Sequence, residues 1–377
     1  MAEAYVYEAV RSPIGRRKGG LAEVRPDELA AAVLRALVDR AGVDPAEIED
    51  VIMGCVTQLG EQGLNIARNA ALVAGFPITV CGTTVNRMCG SSLTTINFAA
   101  QAVMSGAHDL VVGAGVESMS RVAMGSDSGP LSDLLTDRFD IVSQGVSADL
   151  IAERWGLSRI MLDELAVESH RRALAAMEKG RFEREIAPVF GLEHDEGPRA
   201  DSTYEKVAKL RPAFQKDGVI TAASSSQISD GAAAVLIGSA EAGERLGLKP
   251  RARVRSMALA GVDPTIMLTG PIPATEKALK KAGLGLGDID LFEVNEAFAS
   301  VVLAWAKELG GADGMEALLE RTNVNGGAMA LGHPLGCSGA RLMTTLLHEM
   351  ERRDVELGLA TLCIGFGQAV ATVIERV

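Results

Sequence analysis

What the sequence lacks narrows its reading first. The longest run without Asp, Glu, Lys, Arg or His, from Met88 to Ala107, carries Ser91, Ser92, Thr94, Thr95, Asn97, Gln101 and Ser105. Hydrocarbon would be a poor solvent for it, and no membrane span is expected. The opening MAEAYVYEAVRSP has no basic stretch followed by an apolar core and a small-residue cleavage site, which argues against a secretory signal and for a cytoplasmic protein. The five cysteines, Cys55, Cys81, Cys89, Cys337 and Cys363, are odd in number and contain no C-x-x-C pair. Free thiols in a reducing compartment are therefore expected, with neither a disulfide framework nor a metal site. Lys and Arg number 37 against 49 Asp and Glu, a net charge of −12. That balance argues against nucleic acid as a partner and requires any anionic ligand to find a local basic pocket. Also missing are a G-x-x-x-x-G-K-[ST] phosphate loop and a G-x-S-x-G elbow, while Gly113-Ala-Gly-Val-Glu-Ser lacks the last glycine of a dinucleotide fingerprint. The 377 residues, 47% hydrophobic and 23% charged, otherwise suit a globular chain of two or three domains.

The chain repeats itself. AGVDPAEIEDVIMGCV, from Ala41, aligns with AGLGLGDIDLFEVNEA, from Ala282, so that Ile48 and Ile289 each stand six residues beyond a glycine. In both copies a helix is expected to end at Ala-Gly, with the glycine as a left-handed cap and an apolar strand to follow. Later in each copy a helix start, Cys89-Gly-Ser-Ser or Cys337-Ser-Gly, leads to a glycine-rich strand end, LVVGAGVES or TLCIGFGQA. Alternating strands and helices predict a mostly parallel sheet covered on both faces. The expected organisation is two related α/β halves, about residues 1–118 and 250–377.

Residues 119–249 read as an inserted loop domain. SDSGP, HDEGPRADS and KLRPAFQKDG interrupt a helical stretch from about Asp163 to Lys179, and Arg199, Lys206, Lys209, Arg211 and Lys216 gather within 18 residues. The insert is either a cap over a site formed by the halves or a solvated excursion.

Four positions could carry chemistry. Cys89 precedes a helix whose apolar residues Leu93, Ile96, Ala99, Ala100 and Val103 are helically spaced. Backbone N–H groups there would stabilise a thiolate, although a cysteine in apolar surroundings is as readily a packing residue. His333 falls on a glycine-dense turn with Pro334 as an expected first helical residue; it either meets a ligand or is hydrogen-bonded within the turn. Cys363 ends a strand ahead of Gly365 and Gly367, where parallel sheets bind ligands and bare backbone N–H groups can approach them. Asn295 stands at a strand-to-helix junction and could cap the helix. Cys55, Cys81 and Cys337 read as structural.

Several blocks in order, Arg11-Ser-Pro-Ile-Gly15, VNRMCGSSL around Cys89, GAGVESMS, SSSQISDGAAA, VNEAF, GGAMALGHPLGCSGAR and CIGFG, closely resemble the thiolase family over nearly the whole chain. The resemblance implies a thiolase-like α/β fold: two similar halves with mixed sheets covered by helices, plus the inserted loop domain. It also implies an acyltransferase that cleaves 3-ketoacyl-CoA with CoA into acetyl-CoA and a shortened acyl-CoA, with acyl-CoA and CoA as its partners. SSSQISDGAAA leans toward this degradative branch. The condensing direction, acetoacetyl-CoA from two acetyl-CoA, and a non-catalytic acyl-CoA- or lipid-binding subunit are the rival readings. Carried over by position, Cys89 is the acylated nucleophile, His333 takes its proton, and Cys363 is the acid/base of the acetyl-CoA half. Asn295 holds a water that binds one oxyanion with His333, and the backbone N–H groups of Cys89 and Gly365 form a second oxyanion hole. Ser226 contacts the pantetheine of CoA, and Arg199 lies near its phosphates. CoA is a co-substrate, with no permanently bound cofactor or metal, and the assembly is a homodimer or homotetramer.

The resemblance has gaps. Ser92 replaces a frequent Gly, which would alter the helix start, and Gln368 and Gln144 stand where Met is frequent. Phe366 splits a common triple glycine, so its ring is expected to pack as core or to line the acyl path. These changes bear on acyl specificity and leave the reaction type intact.

Overall fold

A computed structural model describes residues 2–377. Its strands are β1 (Tyr5–Arg11), β2 (Gly15–Arg16), β3 (Asp50–Gly54), β4 (Cys81–Val85), β5 (Leu110–Ser118), β6 (Ser229–Gly238), β7 (Ala252–Gly261), β8 (Leu291–Val294), β9 (Leu357–Ile364) and β10 (Gln368–Arg376). The repeated sequence folds the same way twice. The helix Pro26–Ala41 closes on Gly42 at φ 67° and the helix Pro271–Ala282 on Gly283 at φ 71°. Each is followed by a single 3₁₀ turn and then by a strand, β3 or β8. A glycine is needed at both caps because a Cβ at such a φ meets the following carbonyl.

The strands form one sheet in the order β4-β3-β5-β6-β1-β7-β10-β9-β8, with β2 beside β6. From the centre outward, β1-β6-β5-β3 mirrors β7-β10-β9-β8, and the halves meet where Tyr5 and Val6 pair with Arg253 and Ala252. Pairing departs from the mostly parallel expectation. Only β3–β4, β3–β5 and β8–β9 are parallel, whereas β5–β6, β1–β6, β1–β7, β7–β10 and β9–β10 are antiparallel. For β9–β10 the physical reason is the short turn at Gly365-Phe366-Gly367, which folds β10 back on β9 without a crossover helix. β5 and β6 are buried along their whole length, as strands covered on both faces must be. β6 belongs by sequence to the 119–249 segment, but it runs inside the sheet between β5 and β1.

Between the halves lie two related helices, Ser91–Met104 and Ser338–Arg353. Leu93, Ile96, Ala99, Ala100 and Val103 of the first share a core with Ala340, Met343, Leu346, Leu347 and Met350 of the second. Their first turns touch through backbone: a Cβ added to Gly339 would stand 2.2 Å from the Leu93 nitrogen. No described helix is long and apolar enough to cross a membrane.

The long segment ahead of β6 contains the helices Gln144–Arg154 and Arg159–Glu178 and is tied to the sheet by buried charge. Arg11, at the end of β1, donates from Nε to Glu185 at 2.6 Å and from its two terminal nitrogens to Asp195 at 2.7 and 2.9 Å. All three residues are almost solvent-free. Burial raises the Glu185 pKa and the Arg11 charge opposes the rise, so each partner needs the other. Removing the cation alone strands two carboxylates in the interior. Arg11→Met should therefore destabilise the fold by about 3–5 kcal/mol, measured as a lower urea midpoint; an unchanged midpoint would contradict this role.

Candidate active site

Cys89 stands on a tight turn that its own neighbours build. Asn86 Oδ1 accepts the N–H of Met88 at 2.8 Å, and Ser91 Oγ accepts that of Arg87 at 2.9 Å while donating to the Met88 carbonyl at 2.6 Å. The turn forces Met88 to φ 45°, a costly conformation for a side chain of its size. Cys89 is thereby placed just ahead of the Ser91–Met104 helix, 4% exposed, against Met119 and Leu335. Ser92, which replaces the family's frequent glycine, does not loosen this start. Its buried hydroxyl accepts the N–H of Ala340 at 2.9 Å and so bonds the two central helices to each other.

His333 lies ahead of the second helix of this crossing. Its helix begins at Ser338, four residues later than Pro334 had suggested, because Pro334 to Cys337 forms a turn with Pro334 O accepting the N–H groups of Cys337 and Ser338. His333 is consequently 4% exposed inside the protein, with its N–H bonded to the Gln227 carbonyl at 3.0 Å. The Ser338 hydroxyl donates to Pro334 O at 2.9 Å and also contacts His333 Nδ1. With its one proton committed, that hydroxyl can only accept from the ring, which assigns the proton to Nδ1 and leaves a lone pair on Nε2. Asn295 Nδ2 lies 3.3 Å from Nε2. Asn295 is not a helix cap: the next helix starts at Ala299 after Phe298. Its Oδ1 is buried and has no protein partner, an acceptor that a water would satisfy.

Behind this pair lie two buried carboxylates. Glu117, at the end of β5, accepts the N–H groups of Val56, Thr57 and Gly336 and the Gln62 amide at 2.7 to 3.1 Å, tying together the loops on either side of Cys89. Glu296 accepts from Ser169, Asn323 and the Met329 N–H, which fixes the segment carrying Asn295.

Cys363 ends β9 at 1% exposure, close enough to Cys89 for the two charges to oppose each other. Gly365 turns its N–H toward the Cys89 sulfur, and the Gln144 side-chain amide bears on the same atom. A Cβ on Gly365 would lie 2.9 Å from Met88 Sδ and 3.1 Å from Gln144 Nε2, so the ends of these two side chains pack directly against the bare Gly365 backbone. Phe366 does not pack as core. It is 40% exposed at φ 59°, its N–H directed at Met267 Sδ. The sharp β9–β10 turn imposes that left-handed conformation and tips the ring outward.

Electrostatics make the resting site neutral. Burial pushes the Cys89 thiol up to about 11, only partly countered by its own N–H, Gln144 and Gly365, with the Glu117 charge adding to the rise. The helix terminus, expected to favour thiolate, is outweighed by loss of water. Burial, and then the Arg341 charge, lowers His333 to about 3. Cys363 is raised as well, first by burial and then by Cys89. Cys55 and Cys337 are buried, and Cys81 is exposed on β4.

The insert contributes less directly. Ser226 is half-buried, its N–H bonded to Ala297 O at 2.9 Å, immediately before the Gln227 that anchors His333. Arg199 is exposed, and its backbone N–H caps His170 Nδ1 at 3.1 Å. Lys209, Arg211 and Lys216 are exposed too, while Lys206 pairs with Asp201 at 3.1 Å. Cys89, His333, Asn295, Cys363 and Gly365 thus belong to one neighbourhood, and the Arg199 side chain has no contact with it. Sequence reasoning missed Ser338 and Glu117 as supports. The spacing His333 to Ser338 across a Pro-Leu-Gly turn was the available signal for the first.

Comparison with known proteins gives a consistent result. The family descriptions "Thiolase, N-terminal domain" and "Thiolase, C-terminal domain" match residues 4–241 and 248–376. Full-length relatives named 3-ketoacyl-CoA thiolase include those of Idiomarina loihiensis, 47% identical, and Erwinia tasmaniensis, 49% identical, each aligned over 100% of both chains. The crystal structure of the Bacillus anthracis acetyl-CoA acetyltransferase is similar with a TM-score of 0.91 at 41% identity, covering 100% of this chain and 99% of that one.

Two outcomes follow from the neutral pair. Reaction of Cys89 with an acyl donor should hold its rate as pH falls through 6.5 to about 5, because the buried His333 stays unprotonated well below the ordinary imidazole value. A rate profile with an acid limb centred near 6.5 would contradict this. Ser338→Ala, which removes the group that fixes the ring proton, should slow the same step roughly tenfold without changing the urea midpoint.

Proposed function

The chain belongs to the thiolase family, and from that premise we propose that Cys89 carries the acyl group in a ping-pong exchange between 3-ketoacyl-CoA and CoA. The chain is an acyltransferase of the 3-ketoacyl-CoA thiolase type. What supports the assignment of residues is that Cys89 and Cys363 are buried close enough for their charges to oppose each other, while the buried His333 has its Nε2 against the Asn295 amide.

In the first half-reaction His333 Nε2 takes the Cys89 proton as the sulfur adds to the ketone carbon, and the alkoxide that develops lies against the N–H groups of Cys89 and Gly365. Collapse breaks the bond between the second and third acyl carbons. The electron pair passes to the acetyl-CoA fragment as an enolate, which takes a proton from the Cys363 thiol. The enolate oxygen is held by the proton now on His333 and by a water on Asn295. In the second half-reaction the Cys363 thiolate takes the proton of incoming CoA, whose sulfur displaces Cys89, and His333 returns its proton. Each donor aimed at a developing oxyanion is worth about 10²- to 10³-fold in rate. The resting neutrality of the site suits this sequence, since protons move only when a carbonyl is present to take up charge.

Ser226 is assigned to the pantetheine arm and Arg199 to the phosphates of CoA. The exposed basic run around Arg199 gives an acidic protein a local field for an anionic co-substrate. The reading includes a homodimer or homotetramer. β4 is an edge strand paired only through β3, and Leu64 and Ile78 beside it are 93% and 84% exposed, a surface that a second copy would cover. It also places the chain in the cytoplasm, where five unpaired thiols persist. The relatives named 3-ketoacyl-CoA thiolase favour the degradative direction over the condensing one.

Mass spectrometry after incubation with acetyl-CoA should place an acetyl group on Cys89 and on no other cysteine. Cys363→Ala should still acylate yet fail to cleave acetoacetyl-CoA with CoA, whereas His333→Ala should slow acylation itself by about 10²-fold or more. An adduct on Cys363, or equal acylation rates in the two variants, would refute the division of roles.

A further inference from the structure

The start of the Gln144–Arg154 helix is held rigidly over the Cys89 turn. Ser143 Oγ caps it by accepting the Val146 N–H at 3.4 Å. Gly145 packs so closely beneath Phe214 that an added Cβ would lie 2.1 Å from the ring, and Phe214 is in turn edge-on to Phe298 with centroids 5.7 Å apart. Asp149 fixes the next turn by accepting the N–H groups of Val219 and Ile220 at 2.7 and 2.9 Å. A helix clamped at these points fixes the backbone from which the Gln144 side chain, on the first residue of the helix, projects.

That side chain is half-buried, and its nitrogen lies over Gly365, 3.1 Å from where a Cβ would project. Among the described residues no carbonyl or carboxylate accepts from it. The protein atom this donor bears on is the Cys89 sulfur. The acceptors available are the Cys89 sulfur and whatever oxygen later replaces its proton. The charges that act on Cys89 oppose its thiolate: Glu117 from β5 does so, and Cys363 from β9 does the same once ionised.

We propose that Gln144 is a further catalytic residue, its side-chain N–H donating to the Cys89 sulfur as it ionises and then to the acyl oxygen of the acyl-enzyme beside the N–H groups of Cys89 and Gly365. This rests on Cys89 being the nucleophile. A side-chain donor differs from the two backbone donors in one respect: it can follow the charge from sulfur to oxygen by rotating its amide, which a main-chain N–H cannot do. It also places a polar group on the wall that the first acyl carbons pass.

The test is the pH dependence of Cys89 alkylation by iodoacetamide, with the modified peptide identified by mass spectrometry, in the wild-type protein, Gln144→Met and Gln144→Glu. Met keeps the length and loses the donor; Glu keeps the shape and supplies a negative charge. The inflection should move up by about one pH unit in Gln144→Met, a tenfold loss of thiolate at a given pH, and further in Gln144→Glu. Single-turnover acylation by acetyl-CoA should fall about tenfold or more in Gln144→Met. Circular dichroism establishes that each variant is folded, and if Met disturbs the helix start, the Glu variant alone decides. Alkylation profiles that superimpose on wild type in a folded variant overturn the proposal. A wild-type protein that is alkylated normally but accepts no acyl group from any acyl-CoA would instead defeat the acyl-transfer reading, and the alkylation profile would still decide for Gln144.

Discussion

The backbone contact between the first turns of two repeat-related helices governs the rest of the structure. Gly339 approaches the Leu93 nitrogen more closely than any side chain would allow, and Ser92 Oγ bonds to the Ala340 N–H across the same crossing. One helix follows Cys89 and the other follows His333, so this contact fixes the two helix starts relative to each other. It also explains why the two halves share one continuous sheet. β5 and β9, which end beside the crossing, deliver Glu117 and Cys363 to it from opposite sides. Cys89, at a helix start of the first repeat, and Cys363, near a glycine-rich strand end of the second, thus come together from repeat-related elements.

The crossing is deeply buried, and dryness decides the chemistry. Cys89 and His333 are each within a few per cent of complete burial, so neither charge is stable at rest. The thiol is raised and the imidazole is lowered, which opposes an ion pair between them. On the proposed mechanism, reactivity then depends on donors already in place where charge would develop, namely the N–H groups of Cys89 and Gly365, with His333 and Asn295 serving the second oxyanion. Such donors are worth more in a water-excluded site than in solvent, and they need no reorganisation at the moment of reaction. Glu117 and Glu296 are expensive to bury, yet each is surrounded by donors that hold a site loop in one arrangement.

Much of this was legible in the residues. The Ala-Gly boundaries of the repeat marked two helix ends, and the structure places a left-handed glycine at both. Cys89 before an apolar helix and Cys363 before Gly365 were readable because a glycine-rich turn beside a reactive side chain has few other uses. The antiparallel share of the sheet was not readable, since a periodic strand looks alike in either pairing and β6 reads as part of a loop-rich segment. The resting protonation was not readable either. A helix terminus is visible in sequence, whereas the desolvation that outweighs it depends on Met119 and Leu335, which come from other parts of the chain. Phe366 misled for a related reason: an aromatic residue is usually core, and only the geometry of a two-strand turn turns it outward.

The central claim is that the resting site holds a neutral imidazole at His333, with its proton on Nδ1 and an unprotonated Nε2 beside Asn295. Nitrogen-15 NMR of selectively labelled histidines reads this directly, with His333→Asn assigning the signal among the five. One ring should show a protonated Nδ1 and an unprotonated Nε2, unchanged from pH 8 to about pH 5. An imidazolium signal for His333 at pH 7, with both nitrogens protonated, would show that an ion pair exists at rest and would contradict the account.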